Sequence, residues 1–162
     1  MPRPMHSACR TILVTLVIFS FGFVLTAAWT QAPGDACSLL TKEAAAAALG
    51  ETATGPKPTG PMSAGAGATV SACEYTGSGI HRIQLNLTLL PASSVAMYKA
   101  MCAQQSKEGL AGFGDVACWY NAKHAELHVI KGPAFLSVEL SRAGDPTEPI
   151  KAAMKTALDR LK

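Results

Sequence analysis

The chain has 162 residues, of which 49% are hydrophobic and 15% charged, and a formal net charge of +3. That is the length of one domain, or of one domain with an address segment. From Pro33 onward twelve bases face eleven acids. The remaining charge of +1 argues against a nucleic-acid binder, which needs a basic patch, and against an acidic disordered tail.

Residues 1–32 have the three parts of an export signal. Arg3 and Arg10 form a basic n-region without an acid, and Thr11 to Ala28 is uncharged and apolar. Small residues follow, as Thr26-Ala27-Ala28 or Thr30-Gln31-Ala32. Pro33 hinders cleavage after Ala32, so cleavage after Ala28 is expected. The alternative is a retained anchor over residues 11–28, near the lower length limit for crossing a bilayer. Either way the basic flank stays inside and the folded part lies outside the cytoplasm, secreted, periplasmic or membrane-anchored. Cys9 precedes the apolar run, which is the wrong place for a lipid-anchor cysteine.

Residues 33–162 are expected to form a single extracytoplasmic domain. It holds four cysteines, Cys37, Cys73, Cys102 and Cys118. An even number in a small exported domain reads as two disulfides, with three possible pairings. The spacings are wide and contain no C-x-x-C, which disfavours zinc.

In chain order, a first helix is predicted from Thr41 to Leu49. Thr41 is a good N-cap, the alanine run favours helix, and Gly50 ends it. Ala44, Ala45, Ala48 and Leu49 would face the core. Residues 51–69 are predicted to be a flexible loop, because Pro56, Pro58, Pro61 and several glycines break any period. Such a loop is either a lid or an insertion between helix and sheet.

Strand signals follow at Thr69 to Thr76 and Ile80 to Leu90, joined by Gly77-Ser78-Gly79. Ile83, Leu85, Leu87 and Leu89 share one face, and Arg82, Gln84, Asn86 and Thr88 share the other. Asn86-Leu87-Thr88 matches a glycosylation sequon, but in mid-strand it reads as an accident. A second helix runs from Ser93 or Ser94 to about Lys107, with Val95, Tyr98 and Cys102 inward. After a turn-rich bridge at 109–115, Val116, Cys118 and Tyr120 alternate against Ala117 and Trp119. Cys102 and Cys118 then both face inward, which favours Cys102–Cys118, and Cys37–Cys73 follows by analogy. His124 to Lys131 and Ala134 to Ser141 are two more strands, split by Gly132-Pro133. The last helix has an apolar stripe of Ile150, Ala153, Met154, Ala157, Leu158 and Leu161.

The order is helix, strands, helix, strands, helix, with a possible internal pseudo-repeat. Hairpin-linked strands are antiparallel, so the fold class is α+β: an antiparallel sheet of hairpins with about three helices.

Four short motifs carry a resemblance: Cys37-Ser38-Leu39-Leu40-Thr41, Ala48-Leu49-Gly50, Cys73-Glu74-Tyr75, and Gly112-Phe113-Gly114-Asp115 with Ala117 and Trp119. Together they resemble a family of exported bacterial domains of unknown function, mostly lipoproteins and sensor-like domains. Those domains are similar to the Mog1/PsbP-like α+β fold. The resemblance implies a Cys37–Cys73 disulfide and a binding or scaffolding role outside the membrane. It brings no catalytic residues. The family's lipobox is missing here, and the Cys102/Cys118 pair lies outside its pattern.

Three functions compete. The first is a non-catalytic binding module for a protein partner or a small apolar ligand, with Trp119 and Tyr120 as candidate contact surface. The second is a metal-binding protein. His124, Glu126 and His128 alternate, so in a strand they point the same way, with His81 as a conceivable fourth ligand. The third is a hydrolase. No G-x-S-x-G elbow is present, and Asp115 reads as turn chemistry rather than as a base. No phosphate loop and no cofactor motif is found. The first reading, not an enzyme, is preferred.

Overall fold

The computed structural model describes residues 34–161, so the predicted leader lies outside the described residues. The elements are α1 (Lys42–Leu49), β1 (Thr54–Ser63), β2 (Thr69–Thr76), β3 (Arg82–Leu89), α2 (Ala92–Ala103), β4 (Val116–Trp119), β5 (Glu126–Lys131), β6 (Ala134–Ser141) and α3 (Thr147–Arg160). A single 3-10 turn at Ala36–Ser38 precedes α1. No helix among the described residues is long and apolar enough to cross a membrane.

The six strands form one antiparallel sheet in the order β1-β2-β3-β6-β5-β4. Each half of the chain supplies a three-stranded meander, and the β3–β6 pair joins them at the centre. The expected α+β architecture and helix-strand order are present. The alternation in the strands decides the layers. Ile83, Leu85 and Leu87 of β3, Leu127 and Val129 of β5, and Leu136, Val138 and Leu140 of β6 all enter one core. Helices α1 and α3 close that core and touch each other. The α3 stripe read from the sequence is buried as expected.

The ends of the helices are fixed by side chains. The Thr41 hydroxyl accepts from Ala44 N–H at 3.1 Å, and Gly50 closes α1 with a left-handed φ of 75°. Arg142 donates to the Ala48 carbonyl at 2.7 Å, placing a cation at the negative end of α1. Lys131 does the same for α3, donating to the carbonyls of Leu158 and Leu161.

The expected flexible loop at 51–69 is corrected. Most of it is β1, the edge strand, paired with β2 through two register shifts. Both of its faces are largely exposed, so it carries no hydrophobic period to read. Prolines are tolerated because an edge strand bonds on one side only. Gly60 is required where the chains approach most closely: its φ is 85°, and a Cβ there would lie 2.6 Å from the Val70 carbonyl oxygen. Outside the strand lie residues 51–53, which lead out of α1, and the short turn at 64–68, closed by hydrogen bonds between Ala64 and Ala68 and between Ala68 and Gly65.

Both preferred disulfides are present. Cys37–Cys73 ties the N-terminal turn to β2, and Cys102–Cys118 ties α2 to β4. The second pair does not join the main core. With Ile130 it forms a smaller core on the opposite face of the sheet, packed by Val95, Tyr98, Val116 and Phe135. Helix α2 stops at Ala103 rather than near Lys107. The Ser106 carbonyl leaves the helix to accept from Trp119 N–H at 2.8 Å.

Glu51 links the start of the sheet to the β2–β3 turn. Its carboxylate accepts from the Ser78 hydroxyl at 2.7 Å, lies 2.7 Å from His81 Nδ1, and accepts from Ser78 N–H at 3.1 Å. These bonds, Ser78's first, hold its pKa down to about 2 from 4.5.

Two outcomes follow from these contacts. Replacing both members of a disulfide by alanine costs about 4 kcal/mol for Cys37/Cys73 and about 3 kcal/mol for Cys102/Cys118, from loops of 36 and 16 residues. Urea unfolding of the two double variants measures this, and a larger loss for the shorter loop contradicts it. For Glu51 the folded pKa is depressed, so its stabilisation is fully present above about pH 4.5 and is lost as pH falls towards 2. The stability difference between wild type and Glu51→Ala therefore shrinks through that window. A difference that stays constant from pH 6 to pH 2, scanned at about that range, refutes the assignment.

Candidate functional site

The site is set by what α2 covers. Helices α1 and α3 lie over the main face of the sheet, whereas α2 lies on the other face, mainly against β4 and β5, with Tyr98 also meeting Phe135 of β6. A cleft of about 160 Å³ opens between α2 and the sheet. Tyr98, Met101 and Gln105 line it from α2 and the residues just after it. Cys118, Tyr120, His128 and Phe135 line it from the strand side, and the Cys102–Cys118 disulfide is part of its wall. Three larger hollows, of about 410 to 580 Å³, lie elsewhere and mix charged groups such as Arg82, Arg142, Lys151 and Asp159 with small and apolar residues.

The rings of the cleft form a contiguous set. Tyr98 and Phe135 have centroids 5.1 Å apart, Phe135 meets His128 edge-on at 5.0 Å, and His128 lies 4.9 Å from Tyr120. Strand register produces this. Cys118 stands opposite His128, and Ile130 opposite Phe135, so these residues share the face that α2 partly covers. Tyr120 is 57% exposed and Met101 58% exposed, both at the mouth.

Of the two candidate contact residues, the structure keeps one. Tyr120 lies at the cleft. Trp119 is corrected: it is 1% exposed and belongs to the main core. The alternation that sends Tyr120 to one face sends Trp119 to the other. Its indole N–H donates to the Glu108 carbonyl at 3.1 Å, so even its polar end is satisfied internally.

The triad of His124, Glu126 and His128 is not brought together. His124 is not in a strand. It sits in a turn with φ 52°, where the Asn121 side chain accepts from Lys123 and Ala125 N–H. Its ring stacks on Trp119 with centroids 4.6 Å apart. Glu126 and His128 do meet, with Oε1 and Nε2 at 2.7 Å. His81, the conceivable fourth ligand, is bound to Glu51. Among the described residues no group of three or more histidine, cysteine or acidic side chains is arranged to hold a metal ion.

The Glu126–His128 pair has the form of an oriented base, but a nucleophile must meet it. Ser137 stands opposite His128 in register, yet its hydroxyl accepts from Asn86 at 3.1 Å and has no hydrogen bond to the imidazole. All four described cysteines are paired.

Asp115 is explained by the turn it stands in. Lys99 donates to it at 2.9 Å and Gly132 N–H at 3.1 Å, and the Lys99 bond, with Gly132, holds its carboxyl below the usual range. A Cβ at the preceding Gly114 would lie 2.6 Å from the Ile130 carbonyl oxygen. The Gly112–Asp115 turn is therefore a device for seating β4 against β5.

Sequence reasoning missed Phe135, Met101 and Gln105 as site residues and treated Tyr98 only as packing. One signal for Phe135 was present. Leu136, Val138 and Leu140 take the main core, so Phe135 must face the opposite side of the sheet. No family model matches the chain, and neither a curated protein nor a solved structure matches it.

The two neighbouring aromatics respond oppositely to truncation. Trp119→Ala empties the main core and lowers stability by about 3–5 kcal/mol. Tyr120→Ala removes an exposed ring and changes it by no more than about 0.5 kcal/mol. Denaturant midpoints of the two variants decide this; equal losses reverse the assignment of faces.

Proposed function

We propose that this protein is an exported, non-catalytic binding module whose cleft beside α2 takes a small apolar ligand. The observation that carries the reading is the lining: three aromatic rings, an imidazole, a thioether, a disulfide and the one amide of Gln105 around a space of about 160 Å³. A cavity of roughly 150 Å³ with an apolar lining accepts one benzene-sized molecule. The occupant is therefore one ring, or an equally compact hydrocarbon group. The cleft is too small for an extended peptide. Export is supported by two disulfides, which form and persist in oxidising compartments, and by the pattern of the first 32 residues.

The absence of charge in the lining, apart from the titratable His128, suits an uncharged ligand. Met101 adds an unbranched, polarisable side chain at the mouth, which adapts to ligands of different outline.

Toluene is the probe that tests this. Titrated into the protein, it shifts the Met101 methyl and Tyr98 ring resonances in a saturable way. Met101→Asp, at an exposed position, weakens that binding at least about tenfold, since an unpaired carboxylate at an apolar mouth must be desolvated. Resonances that stay unmoved up to the solubility limit of toluene overturn the reading. So does a response confined to any of the three larger hollows.

A further inference from the structure

We propose that the cleft is built for a ring that carries a hydroxyl, a phenol, and that His128 Nδ1 accepts the hydroxyl's hydrogen bond. The inference rests on the binding role proposed above and specifies the ligand of that same cleft.

The argument begins at the far side of the imidazole. Glu126 Oε1 lies 2.7 Å from His128 Nε2. An ionised carboxylate can only accept, so Nε2 carries the proton. A neutral imidazole fixed in that tautomer presents a lone pair at Nδ1. Glu126 lines a different hollow, with Asn121 and Arg142, and does not line the cleft. With Nε2 taken by Glu126, Nδ1 is the ring nitrogen left for a ligand of the cleft that His128 lines.

Nδ1 is also free. Among the described residues the only hydrogen-bond partner of the His128 ring is Glu126. Among the same residues no sealed-off side-chain nitrogen or oxygen is without a partner, so Nδ1 is reached by solvent. The ring is held in place by Glu126 on one edge and by Phe135 and Tyr120 on its flanks. That makes it a positioned acceptor inside a mostly apolar lining.

Such an acceptor discriminates. A hydrocarbon filling the cleft strips water from the Nδ1 lone pair and returns nothing, which leaves an unsatisfied polar group. A hydroxyl on the same ring replaces the lost water. Sites of this kind reject the analogue that lacks the hydroxyl far more strongly than a plain apolar pocket rejects a change of one methyl group. Toluene and phenol differ by just this exchange of methyl for hydroxyl, at nearly equal size.

The test compares the two probes in mildly alkaline buffer, where an imidazole is neutral. Affinities of phenol and toluene are measured by NMR titration for wild type and for His128→Leu. The expected result is that the phenol-to-toluene affinity ratio falls at least about tenfold in His128→Leu. A second readout uses wild type alone. The ¹⁵N shift of Nδ1 marks an unprotonated nitrogen in the free protein and moves on adding phenol but not toluene. An unchanged affinity ratio, or a proton found on Nδ1, overturns the inference and leaves the apolar cleft standing. If neither phenol nor toluene binds wild type, both the inference and the reading beneath it fall.

Discussion

The two faces of the sheet are covered unequally, and the character of this molecule follows from that constraint. Helices α1 and α3 take one face, over the large aliphatic side chains of the central strands. Helix α2 has the other face almost to itself and covers mainly its β4–β5 end, meeting β6 at Phe135. Period-two alternation then gives every strand residue one of two fates. Ala117, Trp119, Leu127 and Val129 are sealed in the main core. Val116, Cys118, Tyr120 and His128 stand under or beside a single helix that cannot cover them all. The cleft is the remainder of that incomplete cover, and the disulfide from α2 to β4 keeps its walls in register.

The short motifs make sense as parts of the main core's closure rather than as chemistry. Cys37 is bonded to Cys73, Leu39 and Leu40 are buried, and Thr41 caps α1. Two residues beyond Cys73, on the same face, Tyr75 donates its hydroxyl to the Leu40 carbonyl at 3.2 Å. One covalent and one polar contact thus pin the N-terminal turn to β2. Burial raises the Tyr75 pKa, in keeping with a phenol enclosed by that turn. The glycine-rich turn before β4 does a similar service at the other end of the sheet, through Gly114 and Asp115. Motifs that are specific in sequence can be specific because backbone geometry allows nothing else there.

How far the sequence could be read depended on which physical signal each element carried. Strands β3, β5 and β6 and helix α3 bury one face each, so their periods were visible. The caps of α1 were visible because Thr41 and Gly50 act through local geometry. β1 was not, because an edge strand with both faces exposed has no period, and its prolines and glycines imitate a coil. His124 was misplaced for a different reason. The apolar–polar alternation runs on through residues 124–131, but hydrogen bonds to Asn121 turn the chain before the strand begins. The cleft was half legible. Strand alternation places His128 and Phe135 together, but nothing in the α2 sequence announces its side of the sheet. Its exposed positions are largely alanine and methionine, and Cys102 is its one buried residue.

Both outer strands of the sheet have their free sides blunted. β1 contains Pro56, Pro58 and Pro61, which have no N–H to offer, together with Lys57 and two register shifts. β4 is only four residues long, and the chain at Ser106 already occupies the N–H of Trp119. Recognition by adding a strand from another chain needs a row of free donors and acceptors, and neither side supplies one. The same feature that discourages sheet-to-sheet aggregation therefore also closes a common route of peptide capture. What stays open on the sheet's second face is the cleft beside α2, where helix and strand side chains face each other.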